Sequence, residues 1–279
     1  MKKNRITTFV VVIILLAGLS LLLYPTVSDY LQTLAHRRVI AEYLSNIEEM
    51  DDTSYDDLLN EALAYNAELA ENYRTLLLLS TEKKEQYESL LDVTGTGMMG
   101  YIQIPSIDVS LPIYHGTSDE ALRVGIGHLE GSSLPVGGET SHTLLSGHRG
   151  LPSATLFTHL DKLQEGDTFT LRILREVYTY EVDKIDVVVP GELGSLKMET
   201  GQDYCTLITC TPYGVNSHRL LVRGHRIEIE EDAIPETPQA PEADLWIWIL
   251  VAGAAILLIV FIIIVLQRKR KKNDITKDA

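Results

Sequence analysis

Two uncharged apolar runs constrain this chain more than any other feature. Residues 6–24, ITTFVVVIILLAGLSLLLY, form a run of 19, and residues 245–266, LWIWILVAGAAILLIVFIIIVL, a run of 22. A helix needs about 20 such residues to cross the hydrocarbon core of a bilayer, so each run is long enough to span. Lys2, Lys3 and Arg5 precede the first, and Arg268, Lys269, Arg270, Lys271 and Lys272 follow the second. Positive flanks stay on the cytoplasmic side, which puts both termini inside and residues 25–244 outside. The first run has two readings, a cleaved signal peptide or a retained anchor. Its length exceeds a usual signal h-region and no clear A-x-A site precedes Pro25, which favours the anchor.

The terminal segments hold nine of the 24 Lys and Arg residues and two of the 39 Asp and Glu residues. That leaves 15 basic and 37 acidic residues in the external part, a net charge near −22. Such a surface repels phosphate backbones, so nucleic acid is excluded as a partner. It suits solubility outside a cell.

Composition divides the external part. Residues 25–94 carry Pro25 as their only proline and are rich in Leu, Ala, Glu and Tyr. Apolar positions such as Leu58, Leu59, Ala62, Leu63, Tyr65, Leu69 and Tyr73 recur at three and four, which predicts two or three helices. From residue 95 to about 230 the pattern becomes short, β-branched, alternating runs between turn signals: TFTLRIL, VYTYEVDKIDVVVP, YCTLITC and HRLLVRGHRIEI. Strands at this spacing predict a mainly β domain, closed as a barrel or stacked as a sandwich. Residues 231–244, EDAIPETPQAPEAD, read as an extended tether into the second apolar run, and residues 267–279 as a basic cytoplasmic tail.

The two cysteines, Cys205 and Cys210, share one strand-like run. Five residues of extended chain span roughly 17 Å and point the two side chains to opposite faces. A disulfide needs Cα atoms within about 7 Å, so both thiols are free. Cys205 lies mid-strand, where a free cysteine is a small core residue. Cys210 ends its strand at the turn Thr-Pro-Tyr-Gly, where a side chain meets solvent.

Acyl transfer by a thiolate needs a nucleophile, a nearby acid or base, and a donor for the developing oxyanion. His148 stands in Ser-Gly-His-Arg-Gly, and glycines on both sides indicate a loop with close backbone approach. Among the other histidines, His36 and His159 read as solvated, and His115, His128 and His142 as packed or locally bonded in Gly-rich loops; His218 and His225 flank the last strand. Arg219 begins the strand after the Cys210 turn, and nine residues with a turn can fold it back beside Cys210. Arg223 points to the same face and Arg226 to the opposite one.

TLITC, residues 206–210, matches the T-L-x-T-C signature of sortases, the cysteine transpeptidases of the Gram-positive cell surface. MGYIQIPSIDVSLPIYHGTSDEAL, GIGHLEGSSLPVGGETSH, LLSGHRGLPSATLFTHLDKLQEGD and TLITCTPYGVNSHRLLVRGHRI resemble, in that order, blocks of the class C, pilus-building sortases. The resemblance covers roughly residues 92–230. It implies an eight-stranded β-barrel preceded by a helical segment and flanked by two membrane anchors. It also implies a triad of Cys210 as nucleophile, His148 as general acid and base, and Arg219 as stabiliser of the substrate carbonyl or oxyanion, with no cofactor or metal. The implied substrate is an LPxTG-like sorting signal cleaved between Thr and Gly. The implied acceptor is a pilin lysine, or in related enzymes a cell-wall amine. A C-terminal span favours pilus polymerisation over attachment to peptidoglycan, and an intact triad disfavours a non-catalytic assembly scaffold.

Class C members usually carry a lid whose Asp-Pro-aromatic motif rests on the cysteine. No Asp-Pro occurs in this sequence. The leucine run 76–79 has two readings: a substitute lid lying in the groove, followed by a polar, mobile STEKKEQ, or, the favoured one, leucines packed under the helices, which leaves the cysteine open.

The basic flanks generate a test of topology. Reporter tags at residues 2 and 279 are expected to be protected from external protease in intact cells, and a tag at residue 238 to be cleaved. A digestible C-terminal tag would overturn the two-span reading.

Overall fold

The computed structural model describes residues 2–72, 80–192 and 196–228, together with 253 and 255. The leucine run 76–79, the tether 231–244 and most of the second apolar run lie outside the described residues. Residues 25–240 form one compact unit; residues 1–24 and 241–279 form another, described by itself. Of the latter, the described part is the beginning of α1 (Lys2–Glu49), together with residues 253 and 255. Among the described residues α1 supplies the one helix long and apolar enough to cross a membrane.

Beyond Pro25, α1 continues to Glu49 and is followed by α2 (Asp52–Asn72) and α3 (Thr81–Ser89). STEKKEQ is therefore helical. Ser80 caps α3 by accepting from the Lys83 N–H, and Tyr87 is buried.

Eight strands follow: β1 (Met98–Ile104), β2 (Val109–His115), β3 (Ile126–His128), β4 (Ser141–Ser146), β5 (Thr168–Ile173), β6 (Glu176–Val188), β7 (Asp203–Thr211) and β8 (His218–Ile227). A short helix, α4 (Asp119–Val124), links β2 to β3. The strands close into a barrel in the order β1-β2-β3-β4-β7-β8-β6-β5. Pairings are antiparallel except β2 with β3 and β4 with β7, which are parallel. The fold is thus mainly β, the closed eight-stranded barrel anticipated above. Among the described residues, closure leaves no free sheet edge.

All seven residues of β1 are buried, where a strand with one wet face would alternate. The helical segment explains this. Ile40, Tyr43 and Ile47 of α1 belong to the same buried cluster as Met98, Met99 and Tyr101. The Tyr43 hydroxyl donates to the Met99 carbonyl at 3.0 Å and accepts from the Leu174 N–H at 2.7 Å. Asn66 of α2 does the same for the loop before β4: its Nδ2 donates to the Leu134 and Gly137 carbonyls, and its Oδ1 accepts from the Leu134 N–H.

His36, read as solvated, is only 6% exposed. It sits on the face of α1 turned to the rest of the unit, and burial pushes its pKa down. His128 is fully buried. Its Nε2 lies 2.8 Å from the Ser133 carbonyl and so carries the proton; its Nδ1, 2.9 Å from the Tyr87 hydroxyl, accepts. The neutral ring is thereby satisfied on both sides, and burial lowers its pKa to about 4.

A depressed histidine pKa means that the unfolded chain binds the proton first. Stability from keeping His128 neutral is present above the unfolded value of about 6.5 and is lost as pH falls towards 4, amounting to about 3 kcal/mol when complete. His36 and His142, both lowered by burial, add in the same direction. The urea midpoint is expected to fall steadily between pH 7 and pH 4.5, and less steeply in His128→Gln. A midpoint independent of pH over that interval would contradict this account.

Candidate active site

Strand β7 places the Cys210 side chain. Cys205 and Leu207 belong to the buried core cluster, so alternate residues of β7 face inward. Thr206, Ile208 and Cys210 take the other face. Cys205 is fully buried and Cys210 partly exposed, and neither is in a disulfide. Burial pushes the Cys205 thiol well above its ordinary pKa, with the nearby Asp203 charge acting in the same sense. Cys205 is therefore held as a neutral core thiol.

Antiparallel pairing of β7 with β8 sets Cys210 directly opposite Arg219. Residues so paired share one face, with Cβ atoms about 5 Å apart. The three arginines of β8 differ in their company. Arg223 donates to both oxygens of Asp183, at 3.0 and 2.9 Å, and lies 4.1 Å over the Tyr204 ring. Arg226 sits over Tyr178 and donates to the Val177 carbonyl. Arg219 donates only to backbone carbonyls, those of His218 and Asn216, and among the described residues pairs with no carboxylate.

The parallel pairing of β4 with β7 brings up the histidine. Ser141 pairs with Asp203, and the register continues to Ser146 with Ile208. Beyond the strand the Gly147 N–H donates to the Ile208 carbonyl at 3.0 Å, and the Thr209 hydroxyl to the Gly147 carbonyl at 2.8 Å. The same offset sets His148 level with Cys210. The flanking glycines are obligatory for different reasons. A Cβ at Gly147 would lie 2.6 Å from the Phe157 ring. Gly150 has φ +80°, and its open side is covered by the Tyr213 ring.

Register thus places Cys210 and Arg219 as a cross-strand pair, with His148 at the same end of the barrel, just past the end of β4. Three further residues at that end escape a reading for nucleophiles and bases. Arg149 donates to the Thr211 hydroxyl at 3.1 Å and pairs with Asp161. On the far side of the loop, Asp29 of α1 accepts from the Thr155 N–H and hydroxyl at 2.7 and 2.8 Å. The available signal was Arg149 itself, a large cation set against a glycine turn beside the histidine.

Behind the site, His142 bridges β4 to the chain leading into β7. Its Nδ1 donates to the Lys197 carbonyl and its Nε2 accepts from the Thr206 hydroxyl at 2.7 Å. His115 places its two nitrogens against the Gly97 and Leu90 carbonyls.

Comparison with known proteins agrees with this architecture. The family model described as the Sortase domain matches residues 102–227. Sortase D of Bacillus subtilis (strain 168) is 30% identical over 151 residues, 53% of this chain and 73% of that protein. The crystal structure of sortase C1 from Streptococcus agalactiae is similar with a TM-score of 0.66 at 49% identity, covering 69% of this chain and 100% of that chain. Sortase C from Clostridium perfringens, solved with the C-terminal cell wall sorting motif, is similar with a TM-score of 0.59 at 43% identity, covering 69% and 99%.

The unlike settings of the two cysteines can be read chemically. A small charged thiol reagent is expected to add once to the native chain, at Cys210, and a second time only after denaturation. Intact mass and peptide mapping check this. A native adduct on Cys205 would show that the β7 core opens.

Proposed function

The chain belongs to the sortase family and is a cysteine transpeptidase; within that family we propose that it is a membrane-anchored, pilus-polymerising enzyme of class C whose catalytic residues are Cys210, His148 and Arg219. The observation that carries the assignment is the register of β7, which sets Arg219 directly across from Cys210 and His148 level with it. Likeness to class C sortases, one of them solved with a sorting motif, supports the substrate class.

The Cys210 thiolate attacks the carbonyl carbon of the Thr–Gly bond in an LPxTG-like signal. The carbonyl oxygen gains charge, and the Arg219 guanidinium, paired with no carboxylate among the described residues, donates to it. His148, as imidazolium, protonates the leaving glycine amine while the C–N bond breaks, which leaves a thioester on Cys210 and a neutral imidazole. An acceptor amine then attacks the thioester carbonyl. His148 takes the amine proton, and the thiolate departs as the new amide forms. In this reading the acceptor is a pilin lysine, and the product an isopeptide-linked polymer.

Two membrane spans, with both termini cytoplasmic and the barrel outside, would hold the enzyme where newly exported subunits emerge. A retained C-terminal anchor suits repeated additions to a growing membrane-bound polymer. It is less suited to a single transfer to peptidoglycan.

The full chain in detergent, incubated with an LPxTG peptide and competing amines, tests the proposal. A peptide carrying a lysine side-chain amine is expected to outcompete a cell-wall-type amine, with a thioester intermediate seen by mass. Cys210→Ala should abolish the thioester, and His148→Ala and Arg219→Ala should each lower turnover by about 100-fold or more. Preference for the cell-wall amine would assign the chain to surface-protein anchoring. Activity retained in Cys210→Ala would overturn the nucleophile assignment.

A further inference from the structure

The proton transfers above require His148 to stay within hydrogen-bond reach of atoms bonded to Cys210, yet His148 lies past the end of β4 and Cys210 one residue from the end of β7. The β4–β7 ladder therefore stops short of both residues, just where precision is needed. Backbone and hydroxyl bonds join Gly147 to Ile208 and Thr209, on the strand side of the two residues. One side chain closes the other side. Arg149 Nη1 donates to the Thr211 hydroxyl at 3.1 Å, joining the residue after His148 to the residue after Cys210. Its Nη2 pairs with Asp161, in the short 3-10 turn that ends the same loop.

The Arg149 side chain is 8% exposed, and its Nε is buried with no partner among the described residues. Burying a guanidinium is costly, and leaving one of its donors unpaired adds to the cost. A residue serving only loop solubility or packing would not be placed so. The planar fork, with donors aimed in two directions, lets one side chain hold Thr211 and Asp161 at once.

We propose that Arg149 is a positioning residue, a tie that fixes the His148 loop to the Cys210 strand end. This rests on the assignment of Cys210 and His148 made above. Arg149 touches no reacting atom; it acts through the alignment of the two residues it brackets. Loss of the tie lets the loop move relative to β7, and a displacement of about 1 Å at such a pair lowers turnover by about 100-fold without changing how substrate binds elsewhere.

The test measures thioester formation from an LPxTG peptide by the full chain in detergent, a step independent of the acceptor amine. Rates are normalised to Cys210 thiol titrated in the native protein, so that unfolded molecules do not count. Arg149→Ala is expected to lower kcat by about 10- to 100-fold with KM changed less than about twofold. Arg149→Lys, which reaches one partner but not both, should fall between the two. Thr211→Val should lower kcat less, and the Arg149→Ala/Thr211→Val double variant no further than Arg149→Ala alone, because both remove one contact. An unchanged kcat per titrated thiol, a raised KM at constant kcat, or additive losses in the double variant would each overturn the proposal. Cys210→Ala runs alongside. Activity retained there sinks the nucleophile assignment, whereas an inert Cys210→Ala beside a fully active Arg149→Ala sinks the tie alone.

Discussion

Strand β7 is hydrogen-bonded on both edges, parallel to β4 and antiparallel to β8. That double pairing is the constraint on which the site depends. A slip of one residue along either edge would exchange the two faces of the strand. Cys205 would then turn outward and Cys210 inward. The core prevents the slip. Cys205 and Leu207 fill the barrel from β7, and Leu220 and Val222 from β8. A slip would expose these apolar groups and bury Arg219. The same hydrophobic pattern that closes the barrel thus fixes which thiol faces solvent and which cation faces that thiol.

The helical segment does a second task, by chemistry that leaves little slack. Tyr43, Asn66 and Tyr87 each reach from a helix to backbone or ring atoms of the barrel unit. The loops they hold carry buried N–H and carbonyl groups with no strand partner, and such groups cost about 1–3 kcal/mol each when left unpaired. Tyr87 shows the economy of the device. Its hydroxyl donates to His128 Nδ1 and accepts from the Gly116 N–H, so one oxygen serves α3, β3 and the loop after β2. The cost falls on the acid side, since every histidine so buried must stay neutral for the network to hold.

How much of this was legible depended on sequence separation. Cys210 and Arg219 are nine residues apart across one turn, and extended chain with a reversal is enough to place them side by side. The opposite facing of Cys205 and Cys210 followed from the parity of their spacing. That His148 stands level with Cys210 was not legible from spacing, because parallel pairing of β4 with β7 joins residues 62 apart and nothing local sets that offset. The resemblance of the surrounding blocks supplied it instead. His36 was misread because the packing side of α1 cannot be chosen from a helix with weak amphipathic contrast. The helical reading of residues 25–94 extends to STEKKEQ, where the Ser80 hydroxyl caps α3; only the lid reading takes this stretch as mobile. Arg149 went unremarked because a tie between two strand ends exists only once both strands are placed.

The His148 loop shows why such a site is built from outside as well as within. The loop from Gly147 to the 3-10 turn at Leu160–Lys162 has few ladder bonds of its own. Its anchors come from three elements: β7 through Ile208, Thr209 and Thr211, α1 through Asp29 and Ser28, and the loop's own far end through Asp161. An irregular segment held at several points by different elements loses its freedom to drift at each of them. The entropy of ordering it is offset by bonds spread over the whole unit. The role proposed for His148, giving and taking a proton within one turnover, calls for that kind of support, because neither step tolerates a loop that samples alternatives. The placing of the His148 loop is therefore a property of the barrel and of α1 together, although only three side chains are proposed to react.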